Sequence, residues 1–314
     1  MRVDALLLCG PTASGKSEWA LQLAEHSSIE IVSVDATQVY RGLDIGSAKP
    51  SSATRARVPH HLIDLRDPHE RYSAGEFVRD AVRAIREIRA RGRMPVLVGG
   101  TMLYFNALLR GLAEVPMADP AIRAEIDAEA AQRGWPAMHA KLAEIDPLSA
   151  SRIHPNDPQR IQRALEVFRA SRRPLSDWQR ETAPGHGLHF ARWALVPADR
   201  QRLHERIAAR FRGMVAAGLP EEIRALQRDP RLHPGLPALR AVGYRQMWTA
   251  VADDTSLETS VTASIVATRQ LAKRQLTWIH ADTGWERRDP FVSGMLEAWL
   301  AEARSVIQRA ASGT

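Results

Sequence analysis

The feature that most constrains this chain is the octapeptide GPTASGKS at residues 10–17. It follows the apolar run Ala5–Cys9 and leads into residues 16–25, whose apolar positions recur with helical spacing. Glycines in such a turn let successive backbone N–H groups face one point, where a helix N-terminus and a lysine add positive charge. A strand, this loop and a helix in that order predict a phosphate-binding site on an open α/β sheet.

The loop by itself does not name a reaction. Gly10 and Gly15 supply backbone freedom, Lys16 supplies a cation, and the Ser17 hydroxyl is suited to hold Mg²⁺. Kinases, ATPases and enzymes that release diphosphate can all use such a cradle. Nucleotide hydrolases usually carry an acid at a second strand end, where it supports Mg²⁺ and the attacking water. Here the strand predicted at 94–98 runs into Gly-Gly-Thr instead, which disfavours ATP hydrolysis and leaves the Thr101 hydroxyl at that position.

An acid does follow the other predicted strand. Asp35 comes directly after Ile29–Val34. Ligands of open parallel sheets bind beyond the carboxyl ends of the strands, so Asp35 is expected beside the phosphate loop. There it would act as a general base or accept a hydrogen bond from a substrate amine. The alternative is an Asp that caps a turn.

The arrangement of these signals predicts the fold class and the domains. Strands and helices alternate over the first 115 or so residues, which indicates a P-loop NTPase-like parallel sheet flanked by helices. Residues 119–178 are almost wholly helical, 190–197 predict a strand that returns to the sheet, and helical spacing resumes from 199 to about 279. We therefore expect a core of residues 1–116 and 185–314, with C-terminal helices, and a helical insertion at 117–184.

Composition narrows the partners. A net charge of +7 from 43 basic and 36 acidic residues favours a polyanion such as nucleic acid. The single cysteine, Cys9, excludes an internal disulfide and is expected to be a buried apolar residue. No run approaches the roughly 20 apolar residues of a membrane span, so we expect a cytoplasmic protein. His60 and His61 are interpreted as structural, because neighbours in an extended segment point in opposite directions and cannot share a metal.

Seven blocks occur in a fixed order along the chain: GPTASGKS, SVDATQVYRGLDIGSAKP, PHHLID, VGGTMLY, NDPQRIQRALEV, RAVGYRQ and ATRQLAKRQLTWIH. Together they closely resemble the tRNA dimethylallyltransferases, also called tRNA isopentenyltransferases. The resemblance runs from about residue 5 to about residue 280. A phosphate loop alone is common, whereas seven ordered blocks are specific.

The resemblance implies a reaction. The five-carbon group of dimethylallyl diphosphate would move to N6 of an adenosine next to the anticodon, at position 37 of tRNA, and diphosphate would leave. Asp35 would be the general base, Thr101 would hold the amine or the diphosphate, and Lys16 would stabilise the leaving group. The cofactor would be Mg²⁺, held by Ser17, and the partner the anticodon stem-loop of tRNA, with the protein a monomer. The implied diphosphate site consists of Gly10, Thr12, Ala13, Ser14, Gly15, Lys16 and Ser17.

The same resemblance implies the residues that face tRNA, among which Trp278 would either stack on a base or belong to the core. They are Asp35, Ala36, Thr37, Gln38, Thr101, Arg123, Gln159, Arg160, Ile161, Gln162, Arg163, Arg240, Ala241, Val242, Gly243, Tyr244, Arg245, Lys273, Arg274, Gln275, Trp278 and His280. The family usually has Ser where this chain has Ala36. The missing hydroxyl puts its role in this chain in question, although Thr37 could substitute.

Two other functions fit parts of the pattern. A P-loop kinase for a small molecule or nucleoside would share the core but would need an acceptor hydroxyl and arginines over a triphosphate. An RNA-binding regulator could retain a vestigial loop. Intact Lys16, Ser17, Asp35 and Thr101 argue against such decay.

Overall fold

A computed structural model of the chain describes residues 3–113, 115–117, 119–181, 186–252 and 257–312. Six strands form one sheet in the order β3-β2-β4-β1-β5-β6, and each neighbouring pair is parallel. This arrangement confirms the predicted α/β class with a parallel sheet flanked by helices. The strands are β1 (Ala5–Cys9), β2 (Ile29–Val34), β3 (His60–His61), β4 (Met94–Gly99), β5 (Phe190–Leu195) and β6 (Glu286–Arg288).

The helices fall into two groups along the chain. Those of the first half are α1 (Lys16–His26), α2 (Ser52–Arg57), α3 (Ala74–Ala90), α4 (Met102–Arg110), α5 (Pro120–Arg133), α6 (Trp135–Ile145) and α7 (Pro147–Ala150). The second group comprises α8 (Pro158–Ser171), α9 (Leu175–Arg180), α10 (Arg200–Ala216), α11 (Leu219–Gln227), α12 (Tyr244–Ala252), α13 (Leu257–Ala281) and α14 (Met295–Ala311), with a 3₁₀ turn at Ala238–Arg240. None of the described helices is long and apolar enough to cross a membrane.

The central strands are buried along their whole length. β1 and β4 consist almost wholly of apolar residues, and β2 is equally buried although it contains Glu30 and Ser33, as expected for parallel strands covered on both faces. Their register aligns Cys9 with Gly99 and Val34 with the same Gly99. The residues that follow these three strands therefore emerge together at one edge of the sheet. This register is what brings the phosphate loop, Asp35 and Thr101 to the same place.

Helix packing on this sheet follows the amphipathic patterns. α1 and α14 share one apolar cluster with the sheet, in which Trp299 lies 5.3 Å from Trp19 and 6.1 Å from Trp193, measured between ring centroids. α3 packs on β2 and β4 and begins with a capping box, in which Ser73 and Glu76 satisfy each other's backbone N–H groups. β6 and α14 had not been predicted from the sequence.

The chain divides into two compact units, Met1–Asn106 with His186–Thr314, and Ala107–Gly185. The second unit has its own core, in which Ile126, Leu142, Ile161 and Leu165 are buried. Its helices start at well-formed caps. Asp119 and Asp157, for example, each accept backbone N–H bonds from the first turn that follows.

Candidate active site

The phosphate loop has the backbone shape that an anion site needs. Ala13 and Gly15 adopt left-handed φ angles of 63° and 97°, which turn the loop into the start of α1. No side chain caps this helix, so its first N–H groups remain directed at whatever the loop encloses. Gly10 is required by close packing, because a Cβ there would lie 2.8 Å from Ser14 Oγ.

Lys16 has an environment that perturbs its charge. Its Nζ donates to the Pro11 carbonyl over 3.1 Å, across the loop. Burial, together with the nearby Arg210 guanidinium, lowers the pKa of Lys16 to about 8, although the Asp35 carboxylate acts in the opposite direction. An anion bound in the loop would raise this pKa again, because it would favour the protonated form. The loop therefore favours an anionic ligand, which binds together with the protonated lysine.

Asp35 sits in a turn that fixes its carboxylate. Oδ1 accepts the Thr37 N–H over 2.8 Å and the Gln38 N–H over 3.3 Å. The structure records no hydrogen bond to Oδ2 from the residues it describes. One oxygen is thus held by the backbone while the other can accept a proton. The capping interaction considered from the sequence is present, and it leaves the second oxygen available for chemistry.

Thr101 and Gln38 complete the strand-end wall. Thr101 Oγ1 accepts the Ala36 N–H over 3.1 Å. Both polar atoms of the Gln38 side-chain amide form hydrogen bonds. The oxygen accepts from Ser33 Oγ, and the nitrogen donates to the carbonyls of Ser47 and Ala48, each over 3.2 Å. Gln38 therefore holds the segment 47–48 against the end of β2.

These groups line one cavity of about 1010 Å³ within the first unit. The volume would hold a diphosphate together with a nucleobase-sized ring. Most residues expected from the sequence at the diphosphate and at the reacting base contribute to its lining. Those that do so are Thr12, Ala13, Gly15, Lys16, Ser17, Asp35, Ala36, Thr37, Gln38, Thr101, Arg240, Ala241, Val242, Arg274, Gln275 and Trp278.

Two arginines in the cavity had not been predicted. Arg206 Nε donates to the Ala13 carbonyl over 2.9 Å, and Arg210 lies one turn further along α10. The Arg210 side chain is exposed, but the surrounding protein partly desolvates its guanidinium and so lowers its pKa. The Asp35 carboxylate acts in the opposite direction. Arg206 and Arg210 are four residues apart, and each precedes a buried residue, Ile207 or Phe211. This helical spacing is the sequence signal that could have placed the two arginines on one face of α10.

Gln275, expected to face tRNA, lines the cavity but turns its amide toward the protein. It is 9% exposed, and its amide accepts the Thr12 N–H over 3.0 Å and donates to the Gly100 carbonyl over 2.8 Å. α13 turns this residue inward because every third or fourth position on that side packs on the cavity wall. Trp278, one turn on, is 40% exposed and lines the cavity, so it does not belong to the core.

Two residues of the stretch 240–245 depart from the expectation. Tyr244 is fully buried; its hydroxyl donates to Glu222, and a Cβ on Gly46 would clash with its ring at 2.6 Å. Gly243 is buried too, with a left-handed φ of 96°. Tyr244 thus packs against the segment after β2, whereas Gly243 packs close to Phe211, and neither residue presents a surface. Arg245 is exposed, as are Lys273 and His280 on α13.

In the second unit the expected residues divide between surface and interior. Gln159 and Arg160 are exposed at the start of α8. Ile161 is fully buried, so its side chain cannot face tRNA, contrary to the expectation. The remaining three are engaged within the unit: Arg123 and Arg163 pair with the buried Glu166 at 3.3 and 3.1 Å, and Gln162 donates to Asp127.

The two histidines point in different directions. His60 lines the cavity, and its Nδ1 lies 2.7 Å from the Val58 carbonyl. Burial lowers the pKa of His60 and so favours its neutral form. His61 Nε2 instead contacts Glu30 at 2.6 Å.

Cys9 is buried as expected, and burial raises the pKa of its thiol. Among the described residues no three His, Cys, Asp or Glu side chains form a metal-binding cluster.

Comparison with known proteins places this site in a family. The family model described as IPP transferase matches residues 38–282. The tRNA dimethylallyltransferase of Bordetella pertussis is 55% identical over 280 residues, which cover 88% of this chain and 89% of that protein. The crystal structure of the tRNA isopentenylpyrophosphate transferase of Bacillus halodurans is 32% identical, with a TM-score of 0.70 and 98% of each chain covered. A eukaryotic dimethylallyltransferase acting on tRNA is 25% identical, with a TM-score of 0.76 over 96% of this chain and 77% of that one. The chain thus belongs to the IPP transferase family and is an enzyme of the tRNA dimethylallyltransferase class.

Proposed function

We propose that this enzyme transfers the dimethylallyl group of dimethylallyl diphosphate to N6 of the adenosine adjacent to the anticodon, at position 37 of tRNA. The observation that carries the proposal is a single cavity in which an anion cradle and a carboxylate with one unpaired oxygen occur together. The cradle would hold the leaving diphosphate, and the carboxylate would take the proton that an amine nucleophile must lose. The eukaryotic relative, described as acting on tRNA, supports the choice of substrate.

The phosphate loop would bind the leaving group. As the allylic C–O bond breaks, its electron pair moves to the diphosphate, and the growing charge is met by backbone N–H groups, Lys16 and Arg210. Such preorganised donors stabilise a transition state more than a ground state, because the charge they oppose develops during the reaction. The loop would therefore hold a leaving group and not a phosphoryl donor.

Asp35 would act as the general base. The exocyclic amine of adenine is a weak nucleophile, since its lone pair is delocalised into the ring. As N6 forms its bond to the allylic carbon, its proton would move to Oδ2 of Asp35, the oxygen that the backbone does not hold. Thr101 would assist. Because its oxygen accepts the Ala36 N–H, its own hydroxyl proton can be donated to the amine-bearing ring or to the diphosphate.

The donor set around the loop fits Mg²⁺ bound mainly through the substrate. Mg²⁺ usually keeps several waters and takes only one or two protein ligands together with phosphate oxygens. The exposed Ser17 at the first turn of α1 offers one hydroxyl to the cavity, which suits that arrangement better than a protein-only cage. When bound, the ion would neutralise charge on the departing diphosphate.

The target adenosine would have to leave its stack to reach Asp35. Unstacking costs a few kcal/mol, and contacts to the RNA elsewhere must offset that cost. Exposed basic groups are available for this purpose on α13 and at the start of α8: Lys273, Arg274 and Arg160. Trp278, exposed at the cavity lining, would stack on a displaced base. The helical insertion, predicted at 117–184, would supply part of this RNA surface.

The experiment that tests the proposal is incubation of the pure enzyme with unmodified tRNA and dimethylallyl diphosphate, followed by mass spectrometry of the digested nucleosides. We expect one adenosine per anticodon loop to gain a five-carbon unit. Thermal denaturation distinguishes the proposed prenyl transfer from the kinase alternative. The unreactive thio-analogue of dimethylallyl diphosphate should raise the melting temperature of the enzyme more than ATP with Mg²⁺ does. Stronger protection by ATP with no modified adenosine would contradict the proposal.

A further inference from the structure

One buried amide connects two walls of the cavity. Gln275 on α13 is 9% exposed; Oε1 accepts the Thr12 N–H over 3.0 Å, and Nε2 donates to the Gly100 carbonyl over 2.8 Å. Thr12 belongs to the phosphate loop, and Gly100 immediately precedes Thr101. These partners lie 263 and 175 residues from Gln275 in the chain.

The contact is close enough to restrict both partners. A Cβ at position 100 would lie 2.3 Å from Gln275 Nε2, so only glycine allows the approach. The Thr12 N–H is committed to Gln275 Oε1 and is therefore not available to an anion. The amide thereby selects which N–H groups of the loop remain for the diphosphate.

The two bonds require a particular side-chain chemistry. Thr12 presents a donor and Gly100 presents an acceptor, so the residue between them must offer one acceptor and one donor at the same reach. Glutamine does so. Ionised glutamate of the same shape offers acceptors only, and its second oxygen would face the Gly100 carbonyl. Methionine of similar length offers neither bond.

We propose that Gln275 is a positioning residue for the transfer reaction. It holds the phosphate loop and the Gly100–Thr101 turn at the separation at which diphosphate can leave while Asp35 receives the proton. The inference rests on the proposed function, because it assigns Gln275 a part in that same site. Gln275 itself acts through Thr12 and Gly100.

The test replaces Gln275 by glutamate, whose protonated form can donate a hydrogen bond as glutamine does and whose ionised form cannot. Gln275→Glu should lower kcat/KM for dimethylallyl diphosphate by about 100-fold at mildly basic pH, the cost of a small misplacement in an active site. As pH falls, neutral Glu regains an O–H that can donate to Gly100, so the ratio of variant to wild-type activity should rise. Charged and titratable groups lining the same cavity are Lys16, Glu18, Asp35, His60, Arg206, Arg210, Arg240 and Arg274. They are present in both enzymes, so the ratio removes their effect.

Two further variants complete the experiment. Gln275→Met should lose activity to a similar extent at every pH. Gln270→Glu makes the same chemical change at an exposed site on the same helix and should leave the ratio flat and near one. Should Gln275→Met fail to fold, Gln275→Glu at low pH still decides the question. A flat ratio for Gln275→Glu, or wild-type turnover by Gln275→Met, would overturn the positioning role. Wild-type transfer in the same assay tests the proposed function separately.

Discussion

The hydroxyl oxygen of Thr101 accepts a hydrogen bond from the backbone N–H of Ala36 over 3.1 Å. This bond ties the end of β4 to the residue that follows Asp35 at the end of β2. The bond uses only the backbone of residue 36. The methyl group of Ala36 therefore does not disturb it, and the side chain that matters for the link is Thr101.

Thr101→Val should separate the role of this hydroxyl from that of its shape. Valine matches the volume of threonine but leaves the Ala36 N–H without its acceptor and removes the donor offered to the substrate. We expect kcat to fall about 10-fold, the value of one good hydrogen bond. Thr101→Ser keeps both functions and should stay within about twofold of the wild type. Steady-state kinetics with saturating tRNA measures the difference, and equal losses in both variants would show that shape rather than the hydroxyl matters.

Asp35→Asn should remove the base without disturbing its turn. The Asn oxygen still accepts the N–H groups of Thr37 and Gln38, so the loop keeps its shape. Without a carboxylate, proton transfer from N6 fails, and single-turnover transfer should slow by about 10²–10⁴-fold. Affinity for tRNA should be unchanged in a filter-binding assay. Asp67→Asn is the matched control, because Asp67 forms an exposed ion pair with Arg41 away from the cavity. Rapid transfer by Asp35→Asn would remove Asp35 from the role of base.

Diphosphate binding should weaken as pH rises through the pKa of Lys16. Burial lowers that pKa to about 8, so the free enzyme loses this cation above that pH. An anion favours the protonated lysine, and binding above the pKa must therefore take up a proton. Calorimetry with the thio-analogue should show declining affinity between about pH 7 and about pH 9. Lys16→Arg stays charged over this range and should abolish the decline. A wild-type affinity that is constant across this range would contradict the account.

Gly99→Ala should destabilise the fold where the two site-bearing strands meet. A Cβ at position 99 would lie 2.0 Å from the Val34 carbonyl oxygen, which no side-chain movement can relieve. We expect a loss of about 3 kcal/mol or more in the free energy of unfolding. Gly213→Ala is the control. Its Cβ meets nothing within 4 Å in the interior of α10, and it should stabilise by about 0.5–1 kcal/mol. Urea denaturation measures both changes, and similar midpoints for the two variants would refute the steric argument.

Local patterns predicted the sheet and the phosphate loop because both are encoded within short segments. β2 has the predicted bounds, Ile29–Val34, since its apolar run is bracketed by polar residues. β6 could not be found in this way. It is three residues long, all charged, and becomes a strand only because β5 offers it an edge. α14 packs on the sheet through Trp299, which contacts Trp19 and Trp193. Both partners lie far from Trp299 in the sequence, so local patterns do not reveal this contact.

The candidate site shows the same limit. Lys16, Asp35 and Thr101 follow three strands whose register could be anticipated, and all three line the cavity. Arg206 and Arg210 come from a helix almost two hundred positions later, and only tertiary packing brings them to the loop. The family resemblance implied that Gln275 faces tRNA, but helix geometry turns its amide inward to Thr12.

The central claim is that the phosphate loop holds a departing diphosphate. It is tested most directly with dimethylallyl diphosphate that carries radiocarbon in the allylic group and radiophosphorus in its terminal phosphate. After reaction with unmodified tRNA, we predict that the RNA contains only radiocarbon and that an equal amount of radiophosphorus is recovered as intact diphosphate. Radiophosphorus attached to RNA, or released as orthophosphate in step with the reaction, would contradict the account.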